Sequence, residues 1–240
     1  MKSNKNEKED AVLNPSNHLA AYCAREMMAR LEGIEIDPEK TLIYTLNEQI
    51  AQEMLAAKYP QTHIESIDVL TQHGTPLSST FDLMFANLAL PWTADYAHWL
   101  QWCARQLNPG GLLLFSALGP DTLSCWQSVL APYLLPNLVD MHIYGDGLLK
   151  NGFQDPVLDV DYVTFSYQAA EKMRAELVAA KVVTPDCPAV FAGQKLHTTF
   201  ELVFGHAFAV GAGANEVAAD ETGIVKFPLA YLRRKPPNET

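Results

Sequence analysis

The 240-residue sequence is short of positive charge. Lys and Arg number 17 against 28 Asp and Glu, a formal net charge of −11 at pH 7. A phosphate backbone needs a basic face, so no nucleic acid is expected as a partner. No apolar run reaches the ~20 residues that cross a bilayer, so no membrane span is expected. Cysteine is sparse: Cys23, Cys103, Cys125 and Cys187 lie far apart and form no CxxC pair. The first three fall in apolar helical patterns, which reads as buried thiols rather than a metal centre or disulfides. A reducing, cytoplasmic setting fits. Internal repeats and low-complexity segments are absent, and the only adjacent glycines are Gly110 and Gly111.

What is present is apolar mass. Hydrophobic residues make up 48% and charged residues 19%, enough for one sizeable core. The first 17 residues are polar, with no apolar stretch of the signal-peptide kind, so they are expected to be a tail before one domain over 18–240. Helical spacing runs from His18 to Leu31 and stops at Gly33. TLIYTL (41–46) and HIESID (63–68) read as strands, with a helix between them that Pro60 ends. FDLMFANLAL (81–90) and LLLFSAL (112–118) are too apolar for half-exposed strands and suit central ones, separated by a helix over 95–107 and a turn at Asn108-Pro109-Gly110-Gly111. Further on, helices are expected over 123–134, 146–151 and 169–180, with strands over 156–167 and 197–210. Alternating strands and helices predict a three-layer α/β sheet, mostly parallel, with an antiparallel edge.

Several strings are more specific. FDLMFANLALPW (81–92), LNPGGLLLFSALGPDTL (107–123), DMHIYGDGLLKNGFQDPVLDVDYVTFSY (140–167) and FELVFGHAF (200–208) resemble the malonyl-acyl-carrier-protein O-methyltransferases of biotin synthesis. They also resemble relatives such as the mitochondrial complex I assembly hydroxylase. The resemblance implies a class I, Rossmann-like methyltransferase fold of seven strands. It also implies S-adenosylmethionine as cofactor and acyl carrier protein as the substrate's bearer. The acceptor carboxylate is already nucleophilic, so such an enzyme needs alignment more than acid–base chemistry.

The sequence departs from that family where the cofactor is held. An acidic residue and a Gly-rich turn should follow the first strand, because only glycine lets backbone approach the ligand so closely. If TLIYTL is that strand, the matching positions are Ile43, Thr45, Asn47 and Gln49, none of the required type. If TLIYTL is instead the second strand, the first strand, its turn and its helix are missing, and Thr45 replaces the acidic residue. The second register fits the spacing to Phe81 better. No Gly-rich loop exists in either. A second departure is the short 181–195 stretch where the family carries an Arg-rich insertion, which leaves Lys172, Arg174, Lys181 and Lys195 as candidate cations.

The resemblance implies cofactor contacts at Thr45, Asp68, Asn87 and Leu88, next to Pro91. It implies substrate contacts at His142 and Asp146, and Arg174 is the substrate cation considered with them. Each has a plainer reading. Asp68 reads more simply as a solvated turn carboxylate, Asn87 as a turn cap, and Asp146 as the cap of a short helix. His206, flanked by aromatics, reads as a packed core histidine. Arg233-Arg234-Lys235 could meet an acidic carrier protein or simply be solvated. The expectation is a degenerate methyltransferase relative, impaired in cofactor binding or free of cofactor altogether, that partners a paralogue. The alternatives are an active carboxyl methyltransferase with a divergent loop, or an assembly or hydroxylase-like role.

Overall fold

The two most apolar runs form the middle of one sheet. The computed structural model describes residues 18–45, 48–68, 77–89, 95–134, 138–189 and 196–210. The strands are β1 (Lys40–Thr45), β2 (His63–Asp68), β3 (Phe81–Asn87), β4 (Leu107–Leu118), β5 (Phe153–Tyr167) and β6 (Leu196–Ala209). They form a single sheet in the order β2-β1-β3-β4-β6-β5. The first four lie parallel, β6 runs antiparallel to β4, and the antiparallel β6–β5 pair closes one edge. The mostly parallel α/β sheet with an antiparallel edge is as expected. The seven strands implied by the resemblance are six among the described residues. β1 adjoins β3 with no strand between them.

Among the described residues six α-helices flank the sheet: α1 (His18–Leu31), α2 (Glu48–Lys58), α3 (Tyr96–Gln106), the single turn α4 (Gln127–Leu130), α5 (Met141–Lys150) and α6 (Ala170–Ala179). One core lies between the sheet and α1, α2 and α6, with Leu19, Met27, Ala51, Leu55, Met173 and Leu177 against Ile43, Phe85 and Leu114. The other lies under α3 and α5, with Trp99, Trp102 and Tyr144 against Tyr44, Met84 and Phe115. Strand alternation divides β1 between the two, Ile43 to one face and Tyr44 to the other. Tyr44 is fully buried, with ring centroids 6.0 Å from Trp99 and 5.4 Å from Trp102.

Some expected boundaries shift for local reasons. The Asn108-Pro109-Gly110-Gly111 turn lies inside β4 as an irregularity between the paired Leu107 and Leu112, with Gly110 at φ +79°. The helix expected over 123–134 breaks into a 3-10 turn at Ser124–Trp126, then α4, then another 3-10 turn at Ala131–Tyr133 that holds Pro132. The helix expected from Asp146 starts at Met141, because Asp140 caps it by accepting the amide of His142. Asp146 therefore does not cap it. The tail over 1–17, Pro91, Trp92, Lys195 and Arg233-Arg234-Lys235 lie outside the described residues.

Gly205 shows how tightly the sheet packs. A Cβ there would stand 2.4 Å from the Phe115 ring. Overpacking of this kind costs about 1–3 kcal/mol, so Gly205→Ala should lower the urea unfolding midpoint; an unchanged midpoint would show that the ring can move aside.

Candidate functional site

The chain's crossovers fix where a ligand crevice can form. From β1 the chain passes through α2 on one face to β2; from β3 it passes through α3 on the other face to β4. Right-handed connections leaving in opposite directions make the β1/β3 boundary the topological switch point, and ligands of open α/β sheets bind beyond the strand ends there. Thr45 closes β1, paired in register with Asp68 of β2 on one side and Asn87 of β3 on the other. Leu88 follows directly. The four expected cofactor positions thus share one edge of the sheet. β1 stands at the switch point whichever register TLIYTL takes in the family, and the segment that leaves it, Thr45-Leu46-Asn47-Glu48-Gln49, contains no glycine.

At this edge the side chains bond to one another. The Leu88 amide donates to Ser116 Oγ, Ser116 Oγ donates to Asn87 Oδ1, and Asn87 Nδ2 donates to the Ala20 carbonyl, each at 2.9 Å. This directional chain fixes the amide's orientation and engages both ends of Asn87, which is 2% exposed. Leu88 sits at φ +51°, a left-handed conformation that costs a non-glycine residue on the order of 1–3 kcal/mol. Its bond to Ser116 offsets part of that. Cys23 of α1 is buried beside Ser116, and burial pushes its thiol well above the usual range. Gln49 is exposed and donates to Glu53, while Tyr44 lies in the core, so neither plugs the edge.

The expected substrate residues do not converge. His142 and Asp146 lie on α5, and Arg174 lies on α6 across the sheet. The His142 ring meets Asp140 at 2.9 Å and is 80% exposed; with the His142 amide it holds the Asp140 carboxyl below its ordinary range. Asp146 pairs loosely with Lys150 at 3.9 Å, both exposed. Arg174 donates through Nε to the Cys187 carbonyl and through a terminal nitrogen to that of Pro185, so its guanidinium holds a loop. No group of three potential metal ligands occurs among the described residues. His206 is half-buried, and burial keeps its imidazole below the usual range.

Two buried carboxylates at the same end of the sheet carry more weight than these. Glu201 of β6 accepts the Asp121 amide at 2.6 Å and packs over Gly119, where a Cβ would collide with it. Glu176 of α6 is 5% exposed. Its Oε2 lies 3.7 Å from His18 Nδ1 at the start of α1, and its Oε1 has no hydrogen-bond partner among the described residues. Burial raises the Glu176 pKa, while His18, the Tyr167 hydroxyl and the Leu19 amide pull it back down. Ser116 and Glu176 each had a sequence signal: one hydroxyl within an apolar strand, and one carboxyl at the spacing of the buried Met173 and Leu177.

A pKa raised on folding means that Glu176 favours the fold when protonated and loses that contribution as pH rises through the folded value. Glu176→Gln, which cannot ionise, should therefore raise the calorimetric Tm at pH 7.5 and leave it nearly unchanged at pH 4. A fall at pH 7.5 would mean that the ionised pair with His18 outweighs the burial.

The likenesses to known proteins agree with this geometry. A family model described as a methyltransferase domain matches residues 16–115. The chain is 26% identical to a malonyl-[acyl-carrier protein] O-methyltransferase of Halorhodospira halophila, with 88% of each chain covered. It is 28% identical to malonyl-[acyl-carrier protein] O-methyltransferase 1 of Coxiella burnetii, again over 88% of each. Among solved structures, the YcgJ protein of Bacillus subtilis superposes with a TM-score of 0.50 at 10% identity, covering 78% of this chain and 99% of that one. A Haemonchus contortus phosphoethanolamine N-methyltransferase 2 bound to S-adenosylhomocysteine reaches the same TM-score at 13% identity, covering 78% and 53%. With its switch point, its mixed sheet and these relatives, the chain has a class I methyltransferase-like fold and resembles the malonyl-[acyl-carrier protein] O-methyltransferases.

Proposed function

We propose that this chain is a degenerate member of its family, impaired in binding S-adenosylmethionine, which works as a non-catalytic partner of another protein rather than as a methyltransferase. The observation that carries this reading is the Leu88–Ser116–Asn87–Ala20 chain of hydrogen bonds at the switch point, together with a sequence between β1 and α2 that has no glycine. A cofactor that used Thr45, Asp68, Asn87 and Leu88 would have to break bonds already made. It would also leave a buried carbonyl and hydroxyl unpaired, at about 1–3 kcal/mol each. The acceptor end supports the same reading. Arg174 is engaged by loop carbonyls, and the nearby buried groups Glu176 and Glu201 repel a carboxylate acceptor.

The second reading is an active carboxyl methyltransferase on malonyl-acyl carrier protein, with S-adenosylmethionine held by a divergent loop. Its support is the extent of the likeness, 88% of both chains with the Halorhodospira and Coxiella enzymes. Isothermal titration with S-adenosylhomocysteine separates the two. No binding heat at ligand concentrations up to about a thousandfold above a micromolar Kd is expected, because a shortfall of about 4 kcal/mol removes that affinity. Micromolar affinity, with methyl transfer to malonyl-acyl carrier protein, would establish the second.

A further inference from the structure

Far from the switch point, α1 ends over the β5–β6 edge. There Arg30 bonds to Glu26 at 2.9 Å, to Asp159 through Nε at 3.0 Å and to Asp161 at 2.9 Å, and its guanidinium lies 3.9 Å over the Phe204 ring. These bonds keep Arg30 charged, with its pKa raised further. Three carboxylates still face one guanidinium, and the Asp159 and Asp161 side chains are 51% and 44% exposed. Beside them opens a groove of about 270 Å³, lined by Arg30, Ile34, Val157, Asp159 and His206 among others. The half-buried His206 faces it as neutral imidazole at neutral pH. The groove thus has apolar walls with Asp159 and Arg30 facing it, and with Glu26 and Asp161 the cluster beside it carries more negative than positive charge.

The strand that borders it is an edge strand among the described residues. β5 pairs only with β6 among the described residues, so its outer row of N–H and C=O groups faces outward. Native edge strands are commonly blunted by Lys, Pro or a bulge. β5 has Pro156 and the left-handed Asp155 (φ +51°) at its first turn only, and no Lys or Pro over 157–167. Along that stretch Tyr162 is 60% and Val157 55% exposed, unusually high for large apolar side chains. A second copy docked on the same edge would set Asp159 and Asp161 against their own duplicates, like charges that oppose pairing.

We propose that β5 is a docking edge for an extended, lysine-bearing segment of a partner protein, which adds a strand to the sheet and places one ammonium group in the acidic groove beside Asp159. Main-chain hydrogen bonds along 157–167 supply affinity, and the groove, reached by every second side chain, supplies selection for a cation. Val157 and Tyr162, on opposite faces of the strand, cover the apolar parts of the incoming segment. This inference is independent of whether the switch point binds a nucleoside cofactor.

The probe is a fluorescein-labelled peptide of alternating lysine and valine, with its glutamate–valine counterpart as control, read by anisotropy and by amide hydrogen exchange. The lysine peptide should bind at least about tenfold more tightly than the control, the discrimination expected of complementary charge. It should slow exchange of amides within 157–165. Asp159→Asn and, as a surface variant that spares the Arg30 cluster, Val157→Lys should each weaken it severalfold. Equal binding of the two peptides, protection confined to other strands, no binding of either, or a concentration-dependent dimer that consumes the β5 edge would each overturn the proposal.

Discussion

The hydrogen-bond chain through Asn87 is the constraint on which the functional half of the molecule depends. It ties β3 to β4 through Ser116 and to the first turn of α1 through Ala20. Those three elements meet at the switch point, where an open α/β sheet offers its ligand crevice. A polar network is worth having in a dry interior only when every member is satisfied, and here the described members satisfy one another. The left-handed turn at Leu88 is held by the same hydroxyl. The edge is therefore organised by the protein's own contacts.

The charges follow a related logic. An enzyme that presents a carboxylate to a methyl donor needs a cation near the acceptor end. In this chain Arg174 is committed to loop carbonyls, and Glu176 and Glu201 are buried carboxylates at that end. On the other flank, Arg30 gathers three carboxylates and leaves a negative surplus along an edge strand. Part of the acidity evident in the composition is thus gathered in Glu26, Asp159 and Asp161 around Arg30 and in the buried Glu176 and Glu201.

Much of the fold was legible because its signals are local and strong. The continuous apolar runs at 81–90 and 112–118 identify central strands, and helical spacing at 18–31 and 95–107 identifies two helices. Boundaries failed where one residue's backbone decides: Asp140 starts α5 five residues before the expected Asp146, and Gly110 folds an expected turn into β4. The site was only half legible. Thr45, Asp68, Asn87 and Leu88 do share one edge, because parallel strands bring their ends into register. That Asn87 is consumed internally depends on Ser116 and Ala20, 29 and 67 residues away, and no local pattern encodes such a pairing. Likewise, nothing in the sequence of α5 and α6 shows that His142 and Arg174 lie on opposite faces of the sheet.

The most direct test of this account is the nuclear magnetic resonance signal of the Asn87 side-chain amide, followed as excess S-adenosylhomocysteine is added to the full chain. The account predicts a slowly exchanging, hydrogen-bonded amide whose shift, like that of the Leu88 backbone amide, does not change with ligand. A saturable shift of both signals would show that the network opens to admit the cofactor and would contradict the central claim.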